Sequence, residues 1–128
     1  MQFTASLGRL SISLRVFRLG RDLQVLCCGG ASHIGAVALA TPTQGHARQQ
    51  DLATRPTQVE AHLLALPGHK EDALALRMAQ SMAEALHCAV CVSAGIHYDN
   101  ITRAEIQQVE QMAQDLTHRC IAALTKDS

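Results

Sequence analysis

The segment HCAVCVSAGI, residues 87–96, is apolar at nearly every position and lies between two stretches of helical periodicity. An apolar run this short reads as a buried strand, covered on both faces. The chain must therefore build a sheet around it. The first half supplies the other strands. LSISLRVFR, 10–18, alternates apolar and polar residues and predicts a strand with one wet face. LQVLCC, 23–28, is a second strand, and HIGAVALA, 33–40, a third. LGRD and GGAS supply the turns, so these three predict an antiparallel meander. VEAHLLALPG, 59–68, is a fourth strand, ended by Pro67-Gly68. Between the third and fourth lies TPTQGHARQQDLATRPTQ, 41–58, polar and carrying Pro42, Gly45 and Pro56; it predicts a long mobile loop.

The helical segments are equally plain. HKEDALALRMAQSMAEAL, 69–86, places Leu74, Met78 and Met82 on one stripe, flanked by Ala75, Ala79 and Leu86. Glu71 and Asp72 suit the positive end of its dipole. The last helix starts at Thr102, with Glu105 three residues on, the pattern of a capping box. Ile101 and Ile106 are placed to close over it as a hydrophobic staple. Ile106, Val109, Ala113, Leu116, Cys120 and Leu124 then share a face, with Met112 and Ile121 beside it. The order β-β-β-β-α-β-α predicts an α+β, single-domain, two-layer sandwich. Its sheet is mostly antiparallel, of about five strands, with two helices, and its core spans about 9–125 of residues 1–128.

Composition narrows the function. Formal net charge is zero with His neutral, against the basic excess that nucleic acid demands. With no Trp, one Tyr (Tyr98) and two Phe (Phe3, Phe17), stacking platforms for single strands are missing as well. No apolar run has the length of a membrane span, and the alternating N-terminus lacks the continuous apolar region of a signal peptide. The expected location is cytoplasmic, without membrane or nucleic-acid partners. There the five cysteines are reduced thiols and small core residues. Cys88 and Cys91 match C-x-x-C. On a strand, however, residues three apart point to opposite faces, which keeps their sulfurs apart, and Cys27-Cys28 are separated in the same way.

Polar chemistry collects at three junctions. GGASHIG carries Gly29, Gly30 and His33, and glycines there permit close approach to the backbone. PGHKED carries Gly68, His69, Lys70 and Asp72 at a helix start, where free amides and the dipole suit a phosphate or carboxylate. A solvated helix start accounts for the same residues. AGIHYDN carries His97, Tyr98, Asp99 and Asn100. Asp99 suits either a metal-ligand role beside His97 or the orientation of its imidazole, and Tyr98 suits packing on a flat ring. A polar loop explains it as well. If the junctions converge, His33, His69, His97 and Asp99 form a mixed nitrogen and oxygen donor set for a divalent metal. No nucleophile–base pair demands an enzyme, and neither Ser32 nor Ser93 sits in a G-x-S-x-G elbow.

The three blocks GGASHIGAVALA, ALPGHKEDALALRMA and VSAGIHYDNITRAEI resemble the LpdD-like prenylated-flavin chaperones, over about residues 9–125. That family is associated with UbiD/UbiX-type decarboxylase systems for aromatic acids, and its domain is similar to the proteasome-assembly-chaperone fold, which pairs into dimers. The resemblance implies a non-enzymatic chaperone or carrier that binds prenylated FMN (or FMN) as an accessory protein to a decarboxylase. Implied partners are a UbiD-type decarboxylase, a flavin prenyltransferase and a second copy of the chain in a homodimer. On chemistry, Lys70 and the amides near Gly68 would hold phosphate, and His33, His69 and His97 would meet a metal or the flavin edge. Two alternatives stand beside this: a small metal-dependent enzyme using the His/Asp cluster, and a pure assembly protein. The expected dimer surface is the alternating strand 10–18 or the apolar stripe of the last helix.

Overall fold

The computed structural model describes residues 1–43, 58–67 and 71–126. The order is β1 (Gln2–Leu7), β2 (Leu10–Leu19), β3 (Asp22–Gly30), β4 (Ala36–Thr43), β5 (Gln58–Ala65), α1 (Asp72–Leu86), β6 (Val90–His97) and α2 (Arg103–Lys126). The α+β class and the two helices match the expectation, and among the described residues the sheet has six strands where about five were expected. The added strand is β1, a hairpin partner of β2 joined through Gly8-Arg9. Gly8 has φ 59, and glycine leading a two-residue hairpin loop is the pattern that turn needs.

The expected meander is not formed. The sheet order is β1-β2-β3-β6-β4-β5, so β6 lies between β3 and β4. It runs parallel to β3 and antiparallel to β4. The most apolar strand takes the most enclosed position, because there its backbone groups pair on both sides. The link 31–35 must then cross the path of β6. It crosses at Gly95, where a Cβ would run into the backbone carbonyl of His33. Residues 33–35 belong to this crossing rather than to a strand, and β4 starts at Ala36.

Other boundaries shift for local reasons. Strand β4 runs on through Thr43, so the ends of the expected loop 41–58 are strand; its interior lies outside the described residues. Pro42 is tolerated because the pairing of β4 with β6 stops at Ala40, leaving no ladder partner on that side. Helix α1 begins at Asp72.

Both helices pack on one face of the sheet, α1 over β4, β5 and β6, and α2 over β1 and β2. Ile12, Leu14, Val25, Ala38, Val92, Met82 and Leu116 are sealed between the layers. Each large one contributes about 1.5–3 kcal/mol of burial. On α2 the stripe from Val109 to Leu124 is consumed by this contact, which removes it as a dimer surface, and Ile106 is left at the rim, 39% exposed. Neither described helix lies on the opposite face of the sheet. Cys91 and Ser93 on β6 are therefore only half-buried, where cover on both faces was expected. Cys27 and Cys120 are core residues; Cys28, Cys88 and Cys91 are half-buried, and all five are free thiols.

Candidate functional site

Strands β3 and β6 end together, Gly30 opposite His97, and β4 begins beside them, Ala36 opposite Ala94. The starts of both helices lie at this same end, since Glu71 reaches Ile96 and Glu105 is held by the β1–β2 turn. Two of the three junctions therefore meet. The His33 and His97 rings are 6.4 Å apart between centroids, at 78°, an edge-to-face arrangement. Gly68, His69 and Lys70 of the remaining junction lie outside the described residues; Glu71, next along the chain, is part of the meeting point.

Glu71 escaped the sequence reading, where it counted only as a charge suited to the helix dipole. It is the N-cap residue of α1, yet its side chain makes no capping bond. It turns inward instead. Its Oε1 accepts the Ile96 amide at 3.2 Å and lies 3.2 Å from His33 Nε2. Its side chain is nine-tenths buried, at 10% exposure, against 24% for His33. Oε2 is buried without a hydrogen-bond partner among the described residues. It fills the space that a Cβ on Gly35 would occupy. His33 Nδ1 lies 3.1 Å from the Ala31 carbonyl, so acceptors flank the ring on both sides.

The His97 half is open. His97 Nε2 lies 3.1 Å from Asp99 Oδ1, both side chains well exposed at 57% and 89%. Here Asp99 orients an imidazole, as the H-x-D spacing allowed. Tyr98 is engaged in the fold. The Ser11 amide donates to its Oη at 2.7 Å, and its hydroxyl donates to the Ser11 carbonyl at 2.8 Å. Asn100 has φ 55, a left-handed turn that asparagine adopts more readily than most residues. Asn100 therefore has a structural duty. Gly29 and Gly30 likewise face protein: a Cβ on Gly29 would meet the Ile12 side chain, and one on Gly30 the His97 carbonyl.

The capping box at the start of α2 is present, with Thr102 Oγ1 accepting the Glu105 amide and Glu105 accepting the Thr102 amide, both at 3.0 Å. Arg9, in the β1–β2 turn, braces it. Its Nε and Nη2 donate to the two Glu105 oxygens at 2.8 and 3.0 Å, and Nη2 also reaches the Asp99 carbonyl at 2.9 Å. The Arg9 bond, then the Thr102 amide, hold the Glu105 carboxyl well below its ordinary range, at about 2. The same pairing raises Arg9. No local motif marks Arg9, whose partners lie about ninety residues away in the chain.

Among the described residues no three His, Cys, Asp or Glu side chains are grouped to hold a metal ion. At the start of α1 the Ala73 amide is already taken by the Asp72 carboxylate at 2.8 Å. A groove of about 270 Å³ lies elsewhere, between α1 and α2, walled by Leu74, Arg77, Gln107 and His118 among others. It shares no residue with the three junctions, so the geometry of the imidazoles, not cavity volume, defines the candidate site.

The class of protein is set first by the fold. The architecture is similar to a chain of a chaperone complex for yeast 20S proteasome assembly. The TM-score is 0.51 at 6% identity, covering 91% of this chain and 96% of that one. At that identity the likeness is one of fold. Residues 6–125 match the prenylated flavin chaperone LpdD-like domain, and the chain belongs to that family. It is 30% identical over 107 residues to Protein LpdD of Lactiplantibacillus plantarum (strain ATCC BAA-793 / NCIMB 8826 / WCFS1), covering 83% of this chain and 71% of that protein. Membership places the chain among chaperones rather than enzymes. No described helix is long and apolar enough to cross a membrane.

Proposed function

We propose that this protein is a cytoplasmic chaperone or carrier of prenylated FMN, serving a UbiD-type aromatic acid decarboxylase and receiving its cargo from a flavin prenyltransferase. One observation carries the reading. In a chain of the LpdD-like family, His33 and His97 come from separate junctions and stand 6.4 Å apart at one end of the sheet. Two imidazoles in edge-to-face array suit a flat, polar heterocycle, whose face meets one ring and whose edge meets the other. Asp99 orients His97, and Tyr98 and Asn100 shape the loop that carries it. Glu71 and Asp99 make the described wall acidic, and the cargo's phosphate is assigned to Lys70 and the amides near Gly68 and His69 on the chemistry of those residues alone. Gly29 and Gly30 bring the β3 end up to the His97 loop. A divalent metal on His33, His69, His97 and Asp99 has no comparable support, since acceptors flank both nitrogens of His33.

Titration of the ligand-free protein with reduced prenylated FMN tests the reading. A stoichiometric shift in flavin absorbance is expected, weakened by His33→Ala and by His97→Ala. Uptake that neither substitution changes would remove this site, and no uptake at all would remove the function. The homodimer belongs on the face of the sheet away from α1 and α2, where the outer positions of β2, expected as a dimer surface, continue into Leu39 and Leu64, 42% and 76% exposed. Sedimentation showing only monomer at micromolar concentration would exclude it.

A further inference from the structure

We infer that Glu71 is a positioning residue that holds the His33 ring for the cargo. The inference rests on the cargo site proposed above, but the arrangement behind it belongs to the ligand-free chain. Helix α1 itself does not call for a carboxylate here. Helix α1 receives no capping bond from the Glu71 side chain, and its first backbone bond, Ala75 N–H to the Glu71 carbonyl, needs no particular side chain. Burying a carboxylate with one oxygen unpaired among the described residues is costly, and such a group in a native structure needs a reason. The reason available is His33. Three features converge on that contact. Gly35 omits the side chain that would displace Oε2. The Ile96 amide anchors Oε1 from β6. The Ala31 carbonyl holds Nδ1 on the far side of the ring. A ring held between two acceptors cannot turn about its own axis without losing a contact on one side. Its faces and carbon edges are then what it offers a ligand, in a set orientation toward His97. A pre-ordered ring binds a flat ligand without the entropy cost of freezing it at the moment of contact.

The first test needs no flavin. Diethyl pyrocarbonate acylates an imidazole nitrogen that presents a lone pair, and mass spectrometry reads each histidine separately, so exposed His97 serves as the internal reference. In the wild-type protein His33 is expected to react slowly relative to His97. Glu71→Ala should speed it by roughly tenfold, the lower end of what a hydrogen bond to a charged group is worth. Glu71→Gln, which still covers Nε2, should stay near wild type, and this separates positioning from general loosening. Gly35→Ala, which displaces the carboxylate without removing it, should resemble Glu71→Ala. Equal reactivity of His33 in wild type and Glu71→Ala overturns the inference. A Glu71→Gln variant as reactive as Glu71→Ala, with a native circular dichroism spectrum, also overturns it.

The second test is a double-mutant cycle on affinity for reduced prenylated FMN. If Glu71 acts through His33, the variant carrying both alanines binds no worse than His33→Ala alone. Additive losses refute the positioning role. Should the wild-type chain take up no prenylated FMN, the proposed function falls, while the acylation rates still judge Glu71.

Discussion

The two helices begin at the same end of the sheet, each with a glutamate in its opening turn, and use it in opposite ways. At α2, Glu105 turns back onto the Thr102 amide and completes the capping box. At α1, Glu71 leaves its helix uncapped and runs inward to His33. One glutamate is half-buried and serves its own helix; the other is nine-tenths buried and serves groups away from its helix. A local rule obeyed at one helix and broken at the other marks the second as the place where something besides stability was selected.

Four variants would break or sharpen this contrast, and the largest effect falls on the crossing beneath His33. Gly95→Ala sets a Cβ against a backbone carbonyl that has no room to move, and should lose about 3 kcal/mol or more, the upper end of overpacking costs. Urea denaturation with an unchanged m-value would read it. A loss below about 1 kcal/mol would mean that the crossing has slack. Next comes the pair His33→Leu with Glu71→Met. Replacing both partners of a hydrogen-bonded polar pair by apolar groups of similar size is nearly neutral or stabilising, by about 1 kcal/mol, and here the Ile96 amide left without its acceptor offsets that gain by a similar amount. The protein should thus melt close to the wild type, while flavin uptake is lost. A clear drop in melting temperature would return Glu71 to a structural role.

Thr102→Ala removes the cap that α2 does use and should cost about 1 kcal/mol. Cargo affinity should not change, in contrast to the substitutions at Glu71. The smallest effect is a pH response. Glu105, held at about 2 in the folded chain, lies below its ordinary range in the unfolded one. Its contribution is therefore complete above that ordinary range and disappears as the pH falls from there toward about 2. In Arg9→Ala the Glu105 carboxyl should titrate closer to an ordinary glutamate. Carboxyl carbon NMR against pH measures this directly, and an unmoved midpoint would show that Thr102 alone holds the group.

Local signals in the chain carry their physics with them, which is why some elements are legible. The capping box needs only Thr102 and Glu105, because both bonds close within one turn. The stripes Met78–Met82 and Val109–Leu124 follow from helical period alone. Strand β1 was legible in principle, since QFTASL alternates ahead of a glycine-led turn. At the site, His33, His97 and Asp99 stood out because imidazoles and carboxylates cluster in glycine-rich junctions. Arg9 and Glu71 did not, because each meets its partners far along the chain, and nothing in GR or KED reveals that.

By itself the sequence determined the two helices, five of the strand segments, the zero net charge, the scarcity of aromatic residues and the family. All of these follow from composition, from periodicity or from matching blocks. It left open the order of the strands, because hydrogen-bond partners across a sheet depend on which apolar surfaces can be covered together. Only the tertiary structure placed β6 between β3 and β4. That single insertion forces the link carrying His33 across the strand that ends in His97, and so brings the two imidazoles together.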